Sequence, residues 1–131
     1  MDIILALYPK NIEKMASGVK KFEFRRSIYK DKTVRKVYVY ATVPIKKIVA
    51  TFDVIQVIEG SPYEIWSRCG QDSGSTKDSL MKYFKGKNLV YALEVGNFKW
   101  LEKPIDPRLY IENFYPPQFF QYVNGKEIFK L

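Results

Sequence analysis

The sequence predicts a single α+β domain spanning residues 1–131, its sheet curled into a barrel-like form of about five to six strands with short helices at its flanks. Three observations lead there. The chain has 131 residues, 47% of them hydrophobic, which suits one core of the usual ~100–150-residue size. The hydrophobic period changes from helical to alternating after Gly18, and the second to fourth strands then follow without room for crossover helices. No internal repeat, low-complexity segment or glycine- and serine-rich linker interrupts it.

Taken in order, Ile3–Leu7 is a short apolar run that reads as a buried strand. Pro9 suits a first helical turn, Ile12, Met15 and Ala16 recur at helical spacing, and Gly18 stands at the C′ position. In Lys21–Arg25 the period is two: Phe22 and Phe24 share one face, while Lys21, Glu23 and Arg25 share the other as a charged rim. Ser27–Arg35 is polar and basic and reads as an exposed loop. Lys36–Ala41 alternates again, with Val37, Val39 and Ala41 opposite Tyr38 and Tyr40. Ile48–Ile58 is long, β-branched and apolar, as a central strand would be.

Ser61-Pro62-Tyr63-Glu64 is a capping box with proline in the first turn, and Gly70 lies past the end of that helix. Ser75–Asp78 opens a second short helix whose apolar side is Leu80, Met81, Tyr83 and Phe84, stopped by Gly86. Asn88–Phe98 reads as a strand, and Glu127–Leu131 as an edge strand closing the chain. The aromatic Pro116–Tyr122 segment is expected to pack on its own domain, since Phe119, Phe120 and Tyr122 are costly to expose.

The charge is concentrated. Between Lys20 and Lys47 stand ten basic and two acidic residues, so that stretch holds the entire formal charge of +8, and the remainder is neutral with twelve of each sign. Such concentration points to a polyanionic partner, RNA or a nucleotide-like ligand. With no histidine, Ser-His-Asp and Cys-His catalysis and nearly every zinc site are excluded. No metal or cofactor is expected. Cys69 is alone, so no internal disulfide can form, in keeping with a reducing cytoplasm. No apolar run reaches the ~18–20 residues of a membrane span.

The chemistry-bearing residues cluster in Gly18-Val19-Lys20-Lys21-Phe22-Glu23-Phe24-Arg25. Positive charge on both sides favours the ionised form of Glu23, which can then accept from a base's exocyclic amino group. Lys20, if buried beside Arg25, suits proton transfer or oxyanion stabilisation. Lys21 and Arg26 extend the basic patch. Tyr40 and Trp66 are the candidate stacking rings, a base on an aromatic ring contributing ~1–3 kcal/mol.

This segment, Gly-x-Lys-x-x-Glu-x-Arg directly after the first helix, resembles the signature of ASCH domains in the PUA-like superfamily. Tyr40-Ala41-Thr42 ahead of a proline and the late Pro116-Pro117-Gln118 are also similar to a bacterial branch of that family. The resemblance implies a PUA-like pseudo-barrel with a cleft lined by Lys20, Glu23 and Arg25, and RNA or modified nucleosides as ligands. It further implies, for an enzyme, Lys20 and Glu23 as catalytic residues of an amidohydrolase acting on N4-acetylcytidine or of a ribonuclease. Glu23 stands where the amidohydrolase type has threonine, and the distant glutamate of that type has two candidates here, Asp53 and Glu64.

Overall fold

A computed structural model describes residues 1–130. Six strands form one mixed sheet: β1 (Asp2–Leu7), β2 (Phe22–Arg25), β3 (Lys36–Ala41), β4 (Lys47–Gly60), β5 (Val90–Ile105) and β6 (Gln121–Val123). Their spatial order is β2-β5-β4-β3-β1-β6. The β1–β3 pair is parallel and every other pair antiparallel. Helices α1 (Pro9–Ala16), α2 (Pro62–Cys69), α3 (Lys77–Tyr83) and α4 (Gly125–Ile128) flank it. The sheet does not close: β2 and β6 are its two edges.

The local signals act as sequence physics requires. Pro9 occupies the first turn of α1, and Gly18 adopts φ +82 just past its end, a left-handed conformation that side chains with a Cβ resist. In α2, Ser61 accepts from the Glu64 amide while the Glu64 carboxylate accepts from the Ser61 amide. Thr76 caps α3 by accepting from the Ser79 amide.

Three apolar clusters divide the interior. The largest joins Ile3, Leu5, Val37, Val39 and Phe52 with Ile12 and Met15 of α1. A second packs Phe24, Ile58 and Ala92 against Ile65 of α2 and Leu80 and Phe84 of the α3 region. The third covers the opposite face of β1 and β3, where Ile4, Tyr38 and Tyr40 meet Val123 and Phe129. Both faces of β3 are therefore buried, which explains why valines and tyrosines alternate there instead of apolar and charged residues.

Four expectations need correction. The strand foreseen to stop at Phe98 continues to Ile105, passing Gly96 and Asn97, whose φ is +47, through irregular pairing with β4. The segment foreseen as an edge strand at Glu127–Leu131 is a short helix, capped by Asn124, and the edge strand lies earlier at Gln121–Val123; Leu131 lies outside the described residues. The loop after β2 is not wholly exposed, because Tyr29 and Val34 enter the main core. The charged rim foreseen along β2 is not a rim: Glu23 is 6% exposed.

The last helix is fitted closely to the sheet. A Cβ on Gly125 would stand 2.1 Å from the Tyr38 ring, which is buried against Phe129 in the third cluster and has little room to shift. Gly125→Ala is expected to cost about 1–3 kcal/mol by overpacking, measured as a lowered urea midpoint with an unchanged slope.

Candidate nucleic-acid interface

As in any strand, the side chains of β2 alternate between two faces, and here the two faces meet different environments. Phe22 and Phe24 turn to the cluster under α2 and α3. Glu23 and Arg25 turn to the other face, where their partners in the ladder are Leu93 and Tyr91 of β5. Lys20 precedes the strand, and its amide donates to the Lys14 carbonyl at the end of α1 (3.0 Å), which brings its side chain under the helix.

The result is a buried ionic cluster. Lys20 Nζ stands 3.7 Å from Glu23 Oε1, and Arg25 Nη1 donates to Glu23 Oε2 at 3.3 Å. The Lys20 and Glu23 side chains are each 7% exposed and that of Arg25 13%. The Lys20 ammonium also lies 4.8 Å from the centre of the Phe24 ring, a cation–π contact on its apolar side. The second Arg25 nitrogen, Nη2, donates to the Phe119 carbonyl. One guanidinium thus holds both the Glu23 carboxylate and the chain leading into β6.

Burial pushes the Lys20 ammonium below the ordinary lysine value; Glu23 pulls it back up and Lys14 lowers it further. Lys14 itself donates to the Gly74 carbonyl at 2.8 Å.

The other residues singled out from the sequence are dispersed. Lys21 is exposed, 3.9 Å from Asp72. Arg26 is exposed and donates to the Tyr83 carbonyl (3.2 Å). Tyr40 is 5% exposed and packs on Phe114 in the third cluster. Trp66 packs on the second cluster, its indole where a Cβ on Gly70 would have to sit. Asp53 accepts from the Asn97 amide group (2.9 Å), and Glu64 is committed to its capping box, which lowers its pKa through the Ser61 amide. Neither stands within 4.0 Å of Lys20, for which Glu23 is the one such carboxylate among the described residues.

Two adjoining cavities lie beside this cluster rather than at it. One of about 350 Å³ is bounded by the loop after β2 and by β4, and one of about 700 Å³ by the same loop and the Gly86–Leu89 turn. Lys87, on that turn, and Tyr91, at the start of β5, are residues the sequence did not single out; only the pairing of β5 with β2 brings them beside Arg25 and Arg26. Among the described residues no group of histidine, cysteine, aspartate and glutamate is arranged to hold a metal, and no helix is long and apolar enough to cross a membrane.

With that geometry in hand, similarity to known proteins becomes informative. The family model described as a domain of unknown function (DUF365) matches residues 3–113. An ASCH domain-containing ribonuclease of Zymomonas mobilis is 26% identical over 133 residues, covering 99% of this chain and 89% of that protein. The crystal structure of ASCH from Zymomonas mobilis aligns with a TM-score of 0.88 at 25% identity, over 98% of this chain and 92% of that one. The large ribosomal subunit protein uL22 of Ureaplasma parvum is 30% identical over 91 residues, which are 70% of this chain and 29% of that protein.

Glu23→Gln leaves two buried cations without their anion and is expected to cost about 3 kcal/mol, the order seen when one member of a buried ion pair is removed. For Lys20 the folded protein binds its proton more weakly than the unfolded chain. The charged form therefore penalises folding at neutral pH, and the penalty is relieved as pH rises through the folded pKa toward 10.5. The difference in unfolding free energy between wild type and Lys20→Met, followed by denaturant titration from neutral pH upward, should shift in favour of wild type.

Proposed function

Since the chain belongs to the DUF365 family and carries an ASCH domain, we propose that it binds RNA or a modified nucleoside through the basic cleft beside Lys20, Glu23 and Arg25. The observation that carries this reading is the buried Glu23 carboxylate, held between Lys20 Nζ and Arg25 Nη1 on an edge strand. A carboxylate fixed by two cations is a preorganised acceptor for an exocyclic amino group, and Arg25 is a planar donor suited to phosphate or to a base edge. Lys21 and Arg26 supply exposed charge next to it. The likeness to a protein described as an ASCH ribonuclease supports an RNA-related role. The cytoplasm is the compartment in which such a ligand is met.

Arg25 Nη2 is occupied by the Phe119 carbonyl in the free protein. Ligand reaching the cluster exchanges that contact for its own acceptor, so the chain leading into β6 is part of the cleft.

A hydrolase, of the ribonuclease or acetylcytidine amidohydrolase type, is the second reading. What favours it is Lys20: a buried lysine that releases its proton more readily than an ordinary one, next to a carboxylate, has the property a proton-transfer group needs. Lys20 and Glu23 are the catalytic residues in that reading.

Affinity for single-stranded RNA, measured between about 50 and 200 mM salt, should fall by ~0.7 in log K per phosphate contact for each decade of salt; flat affinity would overturn the binding reading. Lys20→Ala and Glu23→Gln should each weaken binding about tenfold or more, the equivalent of one base contact of about 1–3 kcal/mol. The same proteins incubated with N4-acetylcytidine and with end-labelled RNA separate the two readings. Product that disappears in both variants establishes hydrolysis at this cluster, and product unchanged by either rejects the cluster as its seat.

A further inference from the structure

The loop between β2 and β3 holds more charge than the ionic cluster uses. Arg26, Lys30, Lys32 and Lys87 line the larger cavity, and no aspartate or glutamate does. All four are exposed, and none lies within 4.0 Å of a carboxylate among the described residues. Four cations gathered around one groove repel one another, and an anion laid along it removes that repulsion. The smaller cavity mixes apolar walls with both signs of charge: Val34, Val54 and Val57 stand beside Lys32, Arg35, Gln56 and Glu59. Its volume of about 350 Å³ falls within the roughly 300–1,000 Å³ that small-ligand sites span.

The two cavities share Ile28, Tyr29, Lys32 and Tyr91. Tyr29 is 6% exposed, and its hydroxyl is buried without a hydrogen-bond partner. Arg25, Tyr91 and Glu59 are consecutive partners across β2, β5 and β4, so the small cavity begins one strand away from the ionic cluster.

We propose that the smaller cavity receives one unpaired base of a single-stranded RNA and that the four-cation groove holds the phosphates flanking it. This rests on the RNA reading above and extends it to residues outside the Gly18–Arg25 segment. The ligand is a single strand because an unpaired base enters a side cavity without the few kcal/mol that breaking its pair would cost. Tyr91 offers the base an aromatic ring, while the Gln56 carbonyl oxygen, whose amide nitrogen donates to Glu94 at 2.8 Å, and the Glu59 carboxylate offer acceptors for its edge.

The test compares three proteins with wild type for binding of a single-stranded RNA octamer across a salt series. Lys30→Ala/Lys32→Ala/Lys87→Ala removes three cations from the groove. Lys10→Ala/Lys99→Ala/Lys103→Ala removes the same charge from exposed positions elsewhere. Val57→Trp plugs the small cavity at a partly exposed wall. The groove triple should lower the slope of log K against log salt by about two, ~0.7 for each lost phosphate contact, and the control triple should leave it unchanged. The plug should weaken binding at least tenfold with the slope intact. Equal loss in both triples, or an unaltered slope in the groove triple, overturns the phosphate track; full affinity in Val57→Trp overturns the base pocket. Wild-type protein that binds no RNA overturns the RNA reading together with this extension, whereas retained wild-type binding with silent variants overturns the extension alone.

Discussion

A carboxylate taken out of water must be neutralised where it sits, and Glu23 is neutralised by two cations that come from different directions. Lys20 arrives from the end of α1 and Arg25 from two residues further along the same strand. Each burial alone would cost several kcal/mol of solvation; the three are tolerable only together. The arrangement therefore fixes more than a site. It sets where α1 ends relative to β2, and through the Arg25–Phe119 contact it holds one edge of an open sheet to the segment that leads into the other edge. What hydrogen bonding does around a closed barrel, one guanidinium and a few side chains do here across the gap.

Much of this was legible because it is local. Proline at the start of α1, a glycine at φ +82 after it, and the reciprocal Ser61–Glu64 cap are decided within a turn of chain, and so is the placement of Lys20, Glu23 and Arg25 within six residues. The burial of Glu23 was not legible, since an alternating Phe-Glu-Phe-Arg strand looks the same whether its polar face meets water or a second layer of protein. The extension of β5 past Gly96 was hidden because a glycine followed by Asn97 reads as a turn, and only the length of β4 beside it, 14 residues, carries the pairing onward. The C-terminal segment differs for a related reason: the five residues expected as a strand, Glu127–Leu131, are too few for their period to separate helix from strand, and Asn124, which caps the helix at Gly125–Ile128, is the clue. Tyr40 and Trp66 went to packing, as large aromatics in a 131-residue chain most often do.

The cations fall into two populations with different physical capacities. Lys20 and Arg25 are nearly enclosed, held at defined distances from an acid, and suited to recognising one group with fixed geometry. Arg26, Lys30, Lys32 and Lys87 are solvated and act through field rather than shape. Lys20, Arg25, Arg26, Lys30 and Lys32 are five of the ten basic residues in the Lys20–Lys47 stretch that holds the formal charge of +8, and Lys87 joins them from the turn outside it.

The hydroxyl of Tyr122 accepts from two successive amides, Lys30 and Asp31, each at 3.0 Å, and its ring leans on Phe120, which in turn meets Tyr29. A loop of the first quarter of the chain is thus anchored by residues about ninety positions later. The β2–β3 connection takes its final form through non-local partners, Tyr122 for its amides and the main core for Tyr29 and Val34, and the two lysines beside them inherit their placement from both.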